Sequence, residues 1–192
     1  MRKLQEAFKS INPYLSEEDF SQITPDIIKV DYKKGDYLIK SGQIATNIYY
    51  LIKGGVKCYS SKFDRILWAE FEDSLFTIPD SYYQQRPSMD DLICVEDTSL
   101  YKIRFDHLET LYRSNIQWAN FGRKLAENWL NVTDLTYKIF MLKSATEKYE
   151  AIQVLMPDII QRASLKDIAS FLGISQVSIS RIRADKQEKK RN

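Results

Sequence analysis

The chain has 192 residues, 44% of them hydrophobic and 28% charged, and a formal net charge of +2; this composition is typical of a globular protein with one good core and a small second domain, and it argues against disorder. No apolar run approaches the roughly 20 residues that span a bilayer, and the N-terminal segment lacks the apolar core of a signal peptide. We therefore expect a cytoplasmic protein with no membrane partner.

The first part of the chain predicts two short helices followed by a β domain. The second helix opens at Ser16 with Asp19 three positions later, as in a capping box. Between residues 27 and 104, short β-branched and aromatic runs alternate with turn residues, which predicts a β-sandwich or jelly roll. Cys58 and Cys94 lie in two of these runs without a close-spaced partner, so we expect both to be small buried residues.

A long helix is predicted from Ile116 to Lys143, because no proline interrupts its pattern. About 28 residues at 1.5 Å each give a rod of roughly 42 Å. Two apolar stripes run along it, and one can cover the β domain while the other contacts a second copy of the helix. The first stripe contains Phe121, Leu125, Trp129, Val132, Leu135, Ile139 and Leu142, and the second contains Ala126, Leu130, Tyr137 and Phe140. We assign Leu125, Trp129, Val132 and Ile139 to a homodimer interface; a monomer with both stripes buried is the alternative.

After a helix over about 145–155, residues 165–184 predict a helix-turn-helix. Ser164 and Ser175 can cap its two helices, and Gly173 can form the turn between them. Small and branched apolar side chains repeat at helical spacing on the inner faces: Ile168, Ala169, Leu172, Ile174, Ile179 and Ile182. The outer face of the second helix carries Gln176, Val177, Ser180 and Arg181. This pattern indicates a recognition helix for the DNA major groove, and an ordinary helical hairpin is the alternative.

The charge distribution favours DNA binding by the C-terminal segment. Residues 161–192 contain eight basic and three acidic residues, a balance of +5, while the rest of the chain carries about −3. A basic excess at one end of a nearly neutral chain is typical of attraction to a polyanion. We expect the tail residues Lys186, Lys189 and Lys190 to add attraction to phosphates.

The order of parts resembles the Crp/Fnr transcription regulators. The stretch 33–59 is similar to the opening strands of a cyclic-nucleotide-binding domain, and 174–183 is similar to the recognition helix of that family. The resemblance implies an α+β chain with a sensor domain over 1–115, a dimerisation helix over 116–143 and a DNA-binding domain over 144–192. It also implies a homodimer on a palindromic operator in double-stranded DNA, with RNA polymerase as a further partner.

The same resemblance implies individual DNA contacts. Gln176, Val177 and Arg181 match positions that meet base edges. Further DNA-binding positions are Ser175, Ser178, Ser180 and Arg183. Glutamine suits the edge of adenine, arginine the edge of guanine, and valine the methyl group of thymine. Because Val177 replaces an acidic residue that many members carry, we do not expect the best-known half-site of the family.

The effector segment departs from the family pattern. Residues 75–97 contain no glycine, and residues 88–91 stand where the phosphate-binding arginine is expected. The interval 64–97 holds nine acidic and two basic residues, poor surroundings for a desolvated phosphate. We therefore expect a regulator that does not respond to cyclic AMP. We assign any pocket for an unknown effector to Asp80, Ser81, Tyr82, Tyr83 and Arg86, with a plain surface loop as the alternative.

Other functional classes have less support. An iron-sulfur sensor needs about four cysteines, and a jelly-roll metalloenzyme needs clustered histidines, whereas His107 is the single histidine. No nucleophile elbow, P-loop or dinucleotide fingerprint occurs. We expect no enzymatic activity, no metal and no cofactor. Two alternatives to the leading hypothesis remain: a true cyclic-nucleotide-responsive activator with Arg86 facing inward, and a β-roll protein-interaction module.

Overall fold

The computed structural model describes residues 1–191. Two helices, α1 (Arg2–Ile11) and α2 (Glu17–Ile23), precede the β domain. Its strands are β1 (Ile28–Tyr32), β2 (Tyr37–Ile39), β3 (Asn47–Lys53), β4 (Val56–Ser60), β5 (Arg65–Glu70), β6 (Leu75–Phe76), β7 (Asp91–Cys94) and β8 (Thr98–Arg104), and α3 (Pro79–Gln84) lies between β6 and β7. The C-terminal helices are α4 (Phe105–Ser114), α5 (Ile116–Met141), α6 (Ala145–Leu155), α7 (Pro157–Arg162), α8 (Leu165–Leu172) and α9 (Gln176–Arg191). The predicted fold class is confirmed.

The strands form two four-stranded antiparallel sheets, ordered β1-β8-β3-β6 and β2-β7-β4-β5. Alternate residues of each strand point into the space between the sheets, as the period of two requires. In β4 these are Val56, Cys58 and Ser60, all buried. Cys58 and Cys94 are buried and free, which confirms their predicted structural role. Strand β5 is an edge strand, so one of its sides is left for contacts with helices.

Helix α5 packs on the β domain and on α1. Its N-terminus is fixed by Asn115, whose side chain accepts a hydrogen bond from the backbone N–H of Gln117 at 2.8 Å. Trp118, Phe121 and Leu125 are buried, and the rings of Trp118 and Phe121 meet Phe8 of α1 at centroid distances of 5.8 and 4.6 Å. These contacts join the helix to the N-terminal part of the chain. No helix within residues 1–191 is long and apolar enough to cross a bilayer.

Of the four residues that we assigned to a dimer interface, Leu125 and Ile139 are buried within the chain, which contradicts their assignment, whereas the assignment of Trp129 and Val132 stays a prediction. Leu125 and Ile139 are each 3% exposed. Trp129 packs against the core of the β domain and its Nε1–H donates to the carbonyl oxygen of Leu75 at 3.2 Å. Val132, in contrast, is exposed. The reason is that the β domain and the C-terminal helices already cover this side of α5.

Part of the second apolar stripe of α5 faces solvent, while Phe140 of that stripe packs against Phe171. Leu130 and Tyr137 are 68% and 61% exposed, and Met141 one turn further on is 63% exposed. With Ala126 they follow one side of the helix at spacings of four and seven residues. A partner helix therefore has access to this line of residues, and also to Val132 and Leu135 of the first stripe.

Candidate nucleic-acid interface and effector cavity

Helices α8 and α9 form the predicted helix-turn-helix. Ser164 caps α8 by accepting from the backbone N–H of Asp167 at 3.0 Å, and Ser175 caps α9 by accepting from that of Ser178 at 3.1 Å. Gly173 takes a left-handed conformation with φ +66° in the turn, which costs a glycine little. The backbone N–H of Ile174 donates to the carbonyl oxygen of Ala169 at 3.1 Å. Capping and turn thus fix the angle between the helices.

The outer face of α9 is exposed to solvent. Ile179 and Ile182 are buried against α8, whereas Val177 is 60% exposed. Gln176, Ser180 and Arg181 are also exposed. These four side chains lie on one side of the helix because their spacing is one and four residues. The structure therefore brings the predicted base-reading residues together on an accessible surface, with Ser175 exposed beside them.

Two cations that we expected at the DNA have partners within the protein instead. The Nε–H of Arg183 donates to the hydroxyl of Tyr149 in α6 at 3.0 Å, and its guanidinium lies 5.8 Å from the centre of that ring. Lys186 pairs with Glu150 at 3.2 Å. Arg183 therefore links α9 to α6, and its assignment as a DNA-binding residue stays a prediction. The side chains of Lys189 and Lys190 lie outside the described residues.

An ion cluster attaches the C-terminal helices to the β domain. Arg162 of α7 donates to Glu96 at 2.8 and 3.0 Å, to the carbonyl oxygen of Gly54 at 3.1 Å, and to Glu72. The hydrogen bond from Arg162 is the largest cause that lowers the pKa of Glu72 to about 2. Lys57 and Asp167 form a second bridge at 2.6 Å. Arg162 is one of the basic residues that give residues 161–192 their positive balance, but its guanidinium faces carboxylates of the β domain.

The predicted effector residues lie in and around helix α3, and their assignment to an effector pocket stays a prediction. Residues 79–84 form helix α3, and Pro79 at its first turn supplies a fixed φ that suits a helix start. Ser81 and Tyr82 are buried; the Ser81 hydroxyl accepts from the backbone N–H of Ala45 and donates to the carbonyl oxygen of Arg86. Asp80 and Arg86 form an ion pair on the surface. Tyr83 lies with its ring 6.0 Å from that of Trp129 and is 42% exposed.

A cavity of about 380 Å³ lies elsewhere, between the edge of the β domain and α5. Its size falls in the range of small-molecule sites. Its walls are mostly aromatic and aliphatic, with three threonines and one carboxyl: Leu67, Trp68, Glu70, Phe76, Thr77, Pro79, Trp129, Val132, Thr133, Thr136, Tyr137 and Phe140. Burial raises the pKa of Glu70 to about 7. A cavity with this lining is ill suited to a phosphate.

The sequence analysis missed these cavity residues, although a signal for two of them exists. Trp68 and Glu70 are two residues apart in a strand and so share one face. Cys58 of β4 pairs with Trp68 of β5, and Tyr59 pairs with Ile66, so β5 contains a bulge between these two pairs. The bulge turns Ile66 to the other face of the strand.

Comparisons with known proteins agree with this architecture. Residues 29–115 match the family model of the cyclic nucleotide-binding domain. A structure assigned to the crp/fnr regulators from Eubacterium rectale has a TM-score of 0.72 at 16% identity and covers 95% of this chain and 88% of its own. FixK2 from Bradyrhizobium japonicum gives 0.70 at 18% identity over 85% of each chain. The catabolite activator protein of Thermus thermophilus gives 0.55 at 17% identity, over 93% and 87%. No curated protein matches the sequence closely. The resemblance is thus confirmed at the level of the fold.

Proposed function

Because residues 29–115 form a domain of the cyclic nucleotide-binding family and the whole chain has the fold of Crp/Fnr regulators, we propose that the protein is a sequence-specific DNA-binding transcription regulator. The observation that carries this proposal is the exposed side of α9, where Gln176, Val177, Ser180 and Arg181 project from a capped helix. Glutamine and arginine are the side chains that pair in a bidentate manner with adenine and guanine.

The regulator acts as a homodimer through the exposed stripe of α5. Leu130, Tyr137 and Met141 form an exposed apolar line along α5, and a second copy of the same helix can cover it with twofold symmetry. Two recognition helices then read two half-sites about one helical turn apart. RNA polymerase is the proposed protein partner at the promoter.

Cyclic AMP is not the effector in this proposal. A cyclic phosphate that leaves water needs a cation and hydrogen-bond donors, or its desolvation costs several kcal/mol. The described wall of the cavity offers the carboxyl of Glu70 and no cation. Arg86, the arginine nearest in sequence to the expected phosphate-binding position, is paired with Asp80 on the surface.

Selection of bound DNA from a random pool tests the proposal. The full-length protein should enrich a palindrome with half-sites separated by about 10 base pairs. A pool without enrichment, together with equal affinity for the selected and random duplexes, would contradict sequence-specific reading and favour an interaction module.

Arg181→Ala and Arg183→Ala form a matched pair for the same experiment. Loss of Arg181 should cost about 1 to 3 kcal/mol at the selected site and relax one base position. Loss of Arg183 should lower the stability of the C-terminal domain and leave the base preference unchanged, since it contacts Tyr149. If both variants alter base preference alike, the assignment of the reading face is refuted.

A further inference from the structure

The cavity beside α5 presents acceptors and aromatic faces to a ligand. The hydroxyl protons of its threonines are already used within the protein: Thr77 donates to the carbonyl oxygen of Asn47 at 2.9 Å, Thr133 to that of Trp129 at 2.8 Å, and Thr136 to that of Val132 at 2.8 Å. The lone pairs of these hydroxyl oxygens stay available. The indole N–H of Trp129 is likewise used, by the carbonyl oxygen of Leu75.

Glu70 supplies the charge in the wall of this cavity. It lines the cavity as its one described carboxylate, and burial rather than a neighbouring charge dominates its environment. No described lysine or arginine pairs with it. A carboxylate held in apolar surroundings without a cation is costly, and a ligand that supplies N–H donors or a positive charge relieves that cost.

The aromatic rings favour the same kind of ligand. Trp68, Trp129, Tyr137 and Phe140 stand around the cavity, and the negative faces of such rings attract organic cations, tryptophan most strongly. Their apolar surface also suits a flat ring system. Anions are disfavoured by the rings, by the carboxylate and by the oxygen lone pairs together.

We infer that the cavity between β5 and α5 binds a ring-bearing organic amine, with its ammonium N–H groups on Glu70 and its ring among Trp68, Trp129 and Phe140. This inference rests on the proposed function in one respect, that the sensor domain responds to a small molecule. It names the chemical class of that molecule, which is opposite in charge to a cyclic nucleotide.

Calorimetric titration with three probes of one shape tests the inference. Tryptamine, tryptophol and indole-3-acetate carry a cation, a neutral hydroxyl and an anion on the same ring. At pH 8 the full-length protein should bind tryptamine about tenfold or more tightly than indole-3-acetate, with tryptophol between them, since one charge-assisted hydrogen bond of about 1.4 kcal/mol is a factor of ten. Glu70→Gln should remove the preference for tryptamine and leave tryptophol unchanged. Glu127→Gln, an exposed change on α5, is the control and should behave as wild type.

Three results would overturn the inference. These are binding of indole-3-acetate or cyclic AMP as tight as that of tryptamine, equal tryptamine affinity in Glu70→Gln and wild type, or no binding of any probe up to millimolar concentration. If tryptamine binds only to a monomeric variant, the partner helix occupies the cavity and the inference also fails. Because the titration contains no DNA, its failure leaves the outcome of the DNA selection, and so the proposed regulator, untouched.

Discussion

Replacing Glu70 by glutamine changes the pH dependence of stability in a defined direction. Burial raises the pKa of Glu70 from 4.5 to about 7, because an apolar environment disfavours the charged form. The unfolded chain loses this proton near the ordinary value, whereas the folded protein keeps it until about pH 7. The folded state therefore binds more protons between these two values, and the free energy of unfolding falls as the pH rises through this window.

The size of this effect follows from the pKa difference. One pKa unit corresponds to roughly 1.36 kcal/mol, so the upper limit of the change in the free energy of unfolding is about 3 kcal/mol. The side chain is partly open to solvent at the cavity, and screening reduces such values, so we expect about 1 to 2 kcal/mol. Glutamine has the same shape and no ionisable proton. Relative to the wild type, Glu70→Gln should therefore gain this amount of stability between pH 5 and pH 8.

Urea unfolding at four pH values from 5 to 8 measures the difference between wild type and Glu70→Gln. Taking the difference cancels the titration of all groups that the two proteins share. Glu127→Gln serves as control, because Glu127 is exposed beside Arg123, and its difference from wild type should stay flat. If the Glu70→Gln difference is also flat across this range, Glu70 ionises as it would in water and the reasoning is refuted.

Three further perturbations test other parts of the structure. Leu130→Asp combined with Tyr137→Asp should give monomers in sedimentation velocity, whereas Asn131→Asp on the polar side of α5 should stay dimeric; a wild type that is monomeric at micromolar concentration would contradict the proposed interface. Arg162→Met removes the partner that lowers the pKa of Glu72 to about 2. The stabilisation from this lowered pKa is present above the unfolded pKa and is lost as the pH falls toward 2, so the stability difference from wild type should shrink from pH 5 to pH 3. A constant difference would argue against the ion cluster. Gly173→Ala forces a side chain into φ +66° and should cost about 1 to 2 kcal/mol in urea unfolding; an unchanged midpoint would show that the turn is not fixed.

The sequence was sufficient where local rules decide the structure. The capping box at Ser16 and the serine caps of α8 and α9 formed as predicted, because a cap needs only a side chain and the next turn of backbone. The long helix begins at Ile116 as predicted and ends at Met141, two residues earlier than expected. The apolar residues on the inner face of the helix-turn-helix could also be predicted from the sequence, because their spacing fits one arrangement of the two helices.

Prediction failed where two arrangements share one periodicity. Both stripes of α5 repeat every three to four residues, and only the position of the β domain decides that Leu125 faces inward and Leu130 outward. Helix α3, which starts at Pro79, is not among the predicted elements, although proline suits the first turn of a helix. The hydrogen bond between Arg183 and Tyr149 could not be predicted, because charge alone does not show that Tyr149 lies beside Arg183. The stripes of α5 and the Arg183–Tyr149 hydrogen bond both depend on residues that are distant in the sequence.

Direct contacts join the cavity to helix α8, and α8 packs against α9, the proposed recognition helix. Phe140 lines the cavity, and its ring lies 5.5 Å from that of Phe171 in α8. The guanidinium of Arg65 in β5 lies 4.7 Å from the centre of the Phe140 ring and donates to the carbonyl oxygen of Phe171 at 2.7 Å. A ligand that displaces Phe140 therefore alters how α8 is held. Because linkage is reciprocal, a ligand that changes DNA affinity by a given factor must itself be bound more or less tightly by that same factor when DNA is present.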